Sequence, residues 1–194
     1  EELRRVIPVI ELIREMTDLP VSIDTTKAEV AGAALAAGAS IINDISALRS
    51  DPEMLGVVRS YDGPVIIMHM KGTPETMQIE PHYDDVVGEI TGFFQERIDW
   101  LARNGISRSR IVIDPGIGFG KTVEHNLELL RRTADLVAGG YPVLVGPSRK
   151  STIGVLLDLP VDERLEGTAA CVAACIMGGA SCVRVHDVGA VSYT

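Results

Sequence analysis

The sequence predicts an α/β protein built on the plan of a (β/α)₈ TIM barrel, and three observations lead to this prediction. Short apolar, β-branched runs alternate with helical stretches along the whole chain. Most of these runs lack polar alternation, as is typical of parallel strands that are covered on both faces. Nearly every run ends on a polar or ionisable residue, and a barrel gathers its active site from the carboxyl ends of several different strands.

Six of the apolar runs are predicted to be strands. They are PVSID (20–24), SIIND (40–44), PVIIMHM (64–70), RIVIDP (110–115), PVLVGPS (142–148) and CVRVHD (182–187). Between them, stretches such as 85–105 space their apolar residues by three and four, which predicts helices. An open doubly wound sheet is the alternative, but it would concentrate its site at one switch point with one dominant Gly-rich turn. The barrel is favoured because the polar strand ends are spread along the chain.

The number of strands predicts that the barrel is incomplete. A barrel has eight strands, whereas the sequence contains six apolar runs of this kind. The chain opens with a predicted helix, whose apolar residues between positions 3 and 13 form one stripe, and not with a strand. It ends at DVGAVSYT, where a last helix would begin. We therefore expect residues 1–194 to form a single, partial barrel domain from which the first two strands and the last helix are absent.

Composition and charge exclude several classes of partner. The chain of 194 residues carries a formal net charge of −9, which offers no general surface for nucleic acid, although a few cations in a cleft can still bind an anion. Its longest apolar runs are strand-sized and too short to cross a membrane. Cys171, Cys175 and Cys182 fit no zinc pattern and are expected to be reduced. We therefore expect a soluble, cytoplasmic protein without nucleic-acid or membrane partners.

The Gly-rich run IDPGIGFGKT (113–122) does not have the spacing of a phosphate-binding loop. Such a loop needs a glycine five residues before Gly120, and that position holds Pro115, which has no backbone N–H to offer a phosphate. The glycines also fail the dinucleotide-binding pattern. The run is therefore interpreted as the loop that follows Asp114 at the end of a strand. We expect Lys121 to face solvent or an acidic neighbour and assign it no role.

Three polar residues at corresponding strand ends form the first candidate site. Asp24 and Asp114 are carboxylates, and Asn43 offers both a donor and an acceptor. Such groups, if buried together, need a ligand that presents paired N–H donors. Any one of these residues could instead cap the helix that follows it. Because they occur at the ends of three different strands, a binding function is favoured over capping.

A second group of candidate residues is cationic and follows the fifth predicted strand. Lys150 lies in GPSRKSTIG, at the turn from strand to helix, with Ser148 and Ser151 beside it. A helix begins there, and free N–H groups at a helix start can bind an anion.

Two further candidate residues lie in the last predicted strand. Arg184 and His186 are two positions apart, so both side chains leave the strand on the same face. An arginine that is buried inside a barrel is costly unless it is paired, which suggests that an anion binds there. The alternative is an ion pair between Arg184 and Asp187 or another nearby aspartate.

Six motifs, in order along the chain, resemble the strand-end motifs of the dihydropteroate synthase family, the folate-pathway enzymes that sulfonamides inhibit. They are SIDT, IIND, MHMKGTPETMQ, DPGIGFGKT, VGPSRKSTIG and RVHDV, and the resemblance runs from the first helix to the end of the chain. It implies a (β/α)₈ barrel, a homodimer and Mg²⁺ bound together with the substrate diphosphate. It also implies a transferase reaction in which 4-aminobenzoate attacks the methylene carbon of (7,8-dihydropterin-6-yl)methyl diphosphate, giving 7,8-dihydropteroate and diphosphate.

The resemblance also implies roles for particular residues. The residues implied for the pterin ring are Asp24, Asn43, Asp114, Lys150, Met68 and Gly146. Those implied for 4-aminobenzoate are Phe119, Ser151 and Lys150, and those for the diphosphate are Arg184 and His186. The catalytic set is Lys150, Arg184 and His186. No residue of this chain is assigned to the metal, because the asparagine that the family uses belongs to a strand before residue 1.

The implied mechanism is dissociative. The electron-rich dihydropterin can carry positive charge at its methylene as diphosphate leaves, so the protein stabilises the departing anion and holds the arylamine in line. No general base is needed, because the arylamine attacks while it is neutral. His69 either lines the site or satisfies a hydrogen bond beneath a loop. Because the family's first two strands and their loops carry part of the site, we expect no measurable synthase activity from a polypeptide of this length alone.

Two other functions are compatible with a pterin pocket. A pterin-binding methyltransferase domain would share the barrel and a similar set of strand-end residues, but a methyl transfer has no diphosphate or benzoate carboxylate for SRKS (148–151) and RVHD (184–187) to bind. A non-catalytic barrel fragment could bind pterin without binding 4-aminobenzoate or a sulfonamide.

Overall fold

The computed structural model describes residues 1–192, which fall into two compact units. The first unit comprises Glu1–Met68 and Arg97–Val112, and the second comprises His69–Glu96 and the residues from Ile113 onward. The organisation of residues 1–194 as a single domain stays a prediction.

The first unit alternates helices with parallel strands. Its elements are α1 (Glu2–Met16), β1 (Ser22–Asp24), α2 (Ala28–Ala36), β2 (Ile41–Asp44), α3 (Met54–Arg59) and β3 (Val65–Met68), followed by the end of α4 (Val86–Arg103) and the start of β4 (Ile111–Asp114). The strand order is β1-β2-β3-β4. Strands β1 and β2 pair in parallel with Ile23 opposite Ile42, and β2 pairs with β3 with Ile42 opposite Val65.

The apolar residues of these strands form the core of the first unit. Ile42, Val65 and Ile67 have no exposed surface, and neither does Met54 of α3. All four residues of β3 are buried, as expected for a parallel strand that is covered on both faces. This packing holds the carboxyl ends of β1 and β2 in register.

The second unit contains the start of α4 and the end of β4, followed by further helices and two short strands. These elements are α5 (Val123–Arg131), α6 (Thr133–Val137), β5 (Leu144–Val145), α7 (Ser151–Leu157), α8 (Leu165–Met177), β6 (Cys182–Val183) and α9 (Val188–Val191). Strands β5 and β6 pair in parallel, with Leu144 opposite Cys182. A parallel bridge joins Ile113 of β4 to Val143.

A capping box fixes the point at which the Gly-rich run ends and α5 begins. The backbone N–H of His125 donates to Thr122 Oγ1 (3.3 Å), and the backbone N–H of Thr122 donates to His125 Nδ1 (3.1 Å). Two of the N–H groups at the helix start are thereby satisfied. Because the cap is Thr122, the side chain of Asp114 is not needed for capping.

All six predicted strands are confirmed, although each is shorter than its apolar run. The helix predicted to start at the end of the chain begins at Val188. The three cysteines are free thiols. Among the described residues, no helix combines the length and the apolar character needed to cross a membrane.

Replacing Ile42 by alanine should lower the free energy of unfolding by about 2–5 kcal/mol, because the change leaves a cavity at a fully buried position of β2. Urea denaturation followed by circular dichroism measures the loss. Leu12, which is 59% exposed on α1, provides the matched control, since its replacement by alanine should change stability by less than about 0.5 kcal/mol. Equal losses at the two positions would contradict this account of the core.

Candidate functional site

The first unit brings together two of the predicted site residues, Asp24 and Asn43. They lie opposite each other at the carboxyl ends of β1 and β2, and Asn43 Nδ2 donates to Asp24 Oδ2 at 3.0 Å. Asn43 is only 4% exposed, and within residues 1–192 its Oδ1 is a buried acceptor without a hydrogen-bond partner. An unsatisfied buried acceptor costs about 1–3 kcal/mol. A ligand N–H that reached Asn43 Oδ1 would remove this cost.

Asp24 does not cap the helix that follows it. Helix α2 begins after Lys27 without a side-chain cap, and the carboxylate of Asp51 accepts the backbone N–H of Ala28 at 2.7 Å. Asp24 is exposed at the end of its strand. Capping therefore does not explain why an aspartate ends β1.

Two other residues at the strand ends of the first unit are buried. Met68, the predicted pterin-lining residue at the end of β3, is 1% exposed. Asp44, which the sequence did not single out, accepts hydrogen bonds from the backbone N–H and hydroxyl of Ser46 and from the backbone N–H of Leu48. Burial raises the pKa of Asp44 despite these bonds, and the charge of Asp24 adds to the rise. The carboxylate of Asp44 closes a turn, which gives it a structural role.

In the second unit, Asp114 is a carboxylate held almost entirely out of water. It is 2% exposed, and the backbone N–H of Gly116 donates to its Oδ1 at 2.8 Å. Burial raises its pKa, and this rise is opposed by the Gly116 N–H and by the charges of three cations. These cations are Arg184, Lys150 and Lys121. The local turn therefore uses Oδ1, and Oδ2 can accept a further donor.

Lys150 is half-buried and lies against an aromatic ring. Its Nζ is 4.4 Å from the centre of the Phe119 ring, a cation–π contact. The Gly118 backbone has a φ of +82°, which favours glycine, and a Cβ there would crowd the Lys150 side chain at 3.2 Å from Cδ. Burial and the nearby charge of Arg184 lower the pKa of Lys150, while Asp114 opposes the shift. Phe119, Lys150 and Asp114 thus belong to one cluster.

Arg184 is exposed, contrary to the prediction that it is buried inside the barrel. It follows the two-residue strand β6, where its backbone N–H donates to the carbonyl of Val145 at 3.0 Å. Because Arg184 is exposed, no anion is needed to offset its burial, and the prediction on that ground is wrong. The guanidinium instead lies beside the backbone of Gly146, where a Cβ would be 3.6 Å from Nε.

The alternative role of Arg184, an ion pair with Asp187, is taken by another residue. Arg149 donates from Nε to Asp187 Oδ2 (2.9 Å) and from Nη2 to Oδ1 (2.5 Å). This paired geometry lowers the pKa of Asp187. The charge of Arg184 acts instead on Asp114, where it helps to hold down the pKa of the carboxyl group.

His186 is held by a buried serine. The backbone N–H of His186 donates to Ser148 Oγ (3.1 Å), and the same hydroxyl lies 2.9 Å from His186 Nδ1. When the hydroxyl donates to Nδ1, a neutral imidazole carries its proton on Nε2 and can donate to an anion. Ser151, the remaining predicted residue, is exposed at the first position of α7.

Lys121 is buried, so the prediction that it faces solvent is wrong, whereas the alternative of an acidic neighbour is supported by Asp114, whose charge opposes the lowering of the Lys121 pKa. It is 4% exposed, and its Nζ donates to the Phe119 carbonyl at 2.9 Å. The same atom lies 3.1 Å from His69 Nδ1 and 3.4 Å from the His69 carbonyl. Burial lowers the pKa of Lys121 to about 7. The burial of Lys121 follows from the turn before it, in which Gly116, Gly118 and Gly120 all have positive φ.

His69 has a clear structural partner. It is 7% exposed, and its ring packs edge-on against Phe93 at a centroid distance of 4.9 Å. Of the two roles left open by the sequence, the hydrogen bond beneath a loop is confirmed by the contact with Lys121. A contact of His69 with a ligand stays a prediction.

Three further side chains brace the Gly-rich turn and were not identified from the sequence. Gln78 Nε2 donates to the Gly118 carbonyl (2.7 Å), and the Tyr83 hydroxyl donates to the Gly120 carbonyl (2.9 Å). Asn126 Oδ1 accepts the Gly118 backbone N–H at 2.8 Å. Gln78 and Tyr83 are 40 and 37 residues away along the chain, so no local pattern relates them to the turn.

The described residues contain no group of three or more His, Cys, Asp or Glu side chains that could hold a metal ion.

Comparisons with known proteins identify the family. A family model described as pterin binding enzyme matches residues 1–186. The dihydropteroate synthase of Synechocystis sp. is 49% identical over 193 residues, which cover 99% of this chain and 67% of the relative. The chain thus spans about two thirds of that relative's length.

Solved structures agree with the sequence relatives. The crystal structure of the Yersinia pestis dihydropteroate synthase with a sulfonamide drug complex has a TM-score of 0.96 at 41% identity, covering 98% of this chain and 69% of that one. The Xanthomonas albilineans dihydropteroate synthase in complex with 7,8-dihydropteroate has a TM-score of 0.92 at 45% identity, covering 98% and 70%.

These similarities confirm the predicted TIM-barrel fold, of which six strands lie among the described residues. The chain therefore belongs to the pterin-binding enzyme family and, within it, to the dihydropteroate synthases, transferases of folate biosynthesis.

Proposed function

We propose that this chain provides the pterin, 4-aminobenzoate and diphosphate contacts for the synthase reaction of its family. In that reaction 4-aminobenzoate displaces diphosphate from (7,8-dihydropterin-6-yl)methyl diphosphate and gives 7,8-dihydropteroate. The observation that carries the proposal is the buried carboxylate of Asp114, which neither caps a helix nor loses its second oxygen to the local turn. The 7,8-dihydropteroate complex of the Xanthomonas albilineans relative supports the choice of ligand.

The pterin contacts follow from the polarity of its ring edge. The 2-amino group and N3–H form a planar pair of donors, which a carboxylate such as Asp114 accepts through two oxygens. Asn43 Oδ1 is a buried acceptor that lacks a donor within the described residues, and it suits a further ring N–H. Asp24 orients the Asn43 amide through its hydrogen bond and adds a ring contact. Met68 supplies apolar surface for the ring.

In the second unit, Lys150 is proposed to contact both the pterin and 4-aminobenzoate. Its ammonium is a donor for the pterin carbonyl, and its stem lies beside Gly118. Phe119 provides a flat wall for the benzoate ring. Ser151 supplies a hydroxyl donor for the benzoate carboxylate, and Gly146 leaves room beside the Arg184 guanidinium.

The departing diphosphate is assigned to Arg184 and His186. An exposed guanidinium can form two parallel hydrogen bonds with phosphate oxygens. His186, oriented through Nδ1 by Ser148, presents Nε2 as a further donor. Stabilising the leaving anion lowers the barrier for a dissociative displacement, in which the arylamine then attacks the electron-poor methylene.

Mg²⁺ is proposed to bind together with the diphosphate and to neutralise part of its charge. On the family resemblance, no residue among those described is assigned to Mg²⁺. Homodimerisation, a cytoplasmic location and inhibition by sulfonamides are proposed on the family resemblance. The sulfonamide complex of the Yersinia pestis relative supports the last of these.

Turnover tests the proposed function directly. The longest natural polypeptide that contains this sequence, supplied with both substrates and Mg²⁺, should release diphosphate and form 7,8-dihydropteroate in equal amounts. Coupled detection of diphosphate and chromatography of the pteroate measure the two products. Binding of both substrates without any release of diphosphate would refute the proposal and favour a non-catalytic pterin-binding protein.

Changing Asp114 to asparagine should weaken pterin binding about 10- to 100-fold, because a charge-assisted hydrogen bond is worth roughly 1.5–3 kcal/mol. Isothermal titration with a 7,8-dihydropterin measures the affinity. Exposed Asp162 offers a matched control, since the same change there removes a charge from the surface alone. An affinity for pterin that is equal in both variants would show that Asp114 does not contact the ring.

A further inference from the structure

Arg184, Lys150 and Lys121 are the cations whose charges act on Asp114. Of these three, Lys121 is buried and has no role in the proposed mechanism. Its ammonium nitrogen lies within hydrogen-bond distance of the Phe119 carbonyl, the His69 carbonyl and His69 Nδ1, and Nδ1 is an acceptor when the neutral ring carries its proton on Nε2. A charged lysine has three N–H donors, so these three acceptors match its full capacity. Lys121 therefore connects the end of the Gly-rich turn with His69.

The turn that Lys121 holds carries the Phe119 ring. The Lys121 contact is made to the carbonyl of Phe119 itself, and the backbone N–H of Phe119 donates to the Gly116 carbonyl at 3.0 Å. The Phe119 side chain then meets the ammonium of Lys150 at 4.4 Å. Fixing the Phe119 peptide group therefore restricts the positions that its ring can take beside Lys150.

His69 is a rigid anchor for this connection. Its backbone N–H donates to the Asp114 carbonyl at 2.9 Å, and its ring is packed by Phe93 and Tyr83. Tyr83 in turn donates to the Gly120 carbonyl. The anchor and the turn are thus both contacted by the buried Tyr83.

We propose that Lys121, anchored on His69, is a positioning residue that orients Phe119 for 4-aminobenzoate. It acts through Phe119 and does not itself contact a substrate. The proposal rests on the proposed function in one respect, the assignment of Phe119 to the benzoate ring.

The charge state of Lys121 makes this positioning sensitive to pH. Four titratable groups bear on it: Asp114, Lys150, His69 and His125. Burial and the charge of Lys150 lower the pKa of Lys121 to about 7, against the opposing effect of Asp114. Below this pH the charged lysine satisfies all three acceptors, and above it the neutral amine has two N–H groups for them. Positioning is therefore strongest below pH 7 and weakens as the pH rises through it.

Changing Lys121 to methionine keeps most of the volume and removes the three donors. At pH 6 the KM for 4-aminobenzoate should rise about tenfold, as expected for the loss of a hydrogen bond to a charged group, while the KM for the dihydropterin diphosphate stays unchanged. The KM of Lys121→Met for 4-aminobenzoate, divided by that of the original protein, should fall towards one as the pH rises through about 7. Steady-state kinetics of the intact protein from pH 6 to pH 9 measures both effects.

The exposed Lys27 is the matched control, and its change to methionine should leave both KM values unchanged. His69→Gln keeps an acceptor for Lys121 and should retain a KM close to that of the original protein, whereas His69→Leu should behave like Lys121→Met. These variants decide the question if Lys121→Met does not fold. Any of four results would overturn the proposal. Two are equal rises of both KM values in Lys121→Met and a loss confined to kcat. The others are a ratio of KM values for 4-aminobenzoate that does not depend on pH, and equal KM values for the two His69 variants.

A measurement without substrate separates this inference from the proposed function. The amides between Gly116 and Gly120 should exchange with deuterium faster in Lys121→Met than in the original protein, because the turn loses its contact with His69. Unchanged exchange would overturn the positioning role even if the enzyme turns over. Faster exchange in a protein that shows no synthase turnover would instead refute the proposed function and leave the connection between Lys121 and the turn intact.

Discussion

The second unit depends on a negative charge held out of water at Asp114. Desolvation of the carboxylate raises its pKa, and a single backbone N–H, from Gly116, donates to it. The rest of the compensation comes from positive charge on Arg184, Lys150 and Lys121. A buried charge is tolerated only when it is paired or hydrogen-bonded. A ligand N–H that reached Asp114 Oδ2 would add a further hydrogen bond to this charge.

Two of the cations that offset Asp114, Lys121 and Lys150, contact the Gly-rich turn. The turn needs positive φ at its glycines, and the carbonyls of Gly118 and Gly120 accept from Gln78 and Tyr83, which are distant in sequence, while the carbonyl of Phe119 accepts from nearby Lys121. Lys121 is one of these donors, and Phe119 offers its ring face to Lys150. The glycines therefore serve the arrangement of charge and not phosphate binding.

The fold and the strand-end residues could be predicted from the sequence because both follow from local patterns. Apolar runs mark parallel strands, and the parallel register places Asp24 beside Asn43. The burial of Lys121 could not be predicted, since it depends on where a turn of three glycines leads the chain. Likewise, Asp187 pairs with Arg149 and not with Arg184. Tertiary geometry decides this choice of partner, and the positions of these residues in the sequence do not reveal it.

If Asp114 is a desolvated carboxylate that accepts the donor edge of a pterin, the pKa of its side chain should report both properties. Carbon-13 NMR of aspartate carboxyl groups, assigned with an Asp114→Asn variant, follows the titration with and without a 7,8-dihydropterin. The account predicts a pKa above the ordinary aspartate range in the free protein, because burial disfavours the charge, and a lower pKa when ring N–H groups stabilise the ionised form. An ordinary pKa in the free protein, or one that pterin does not change, would contradict it.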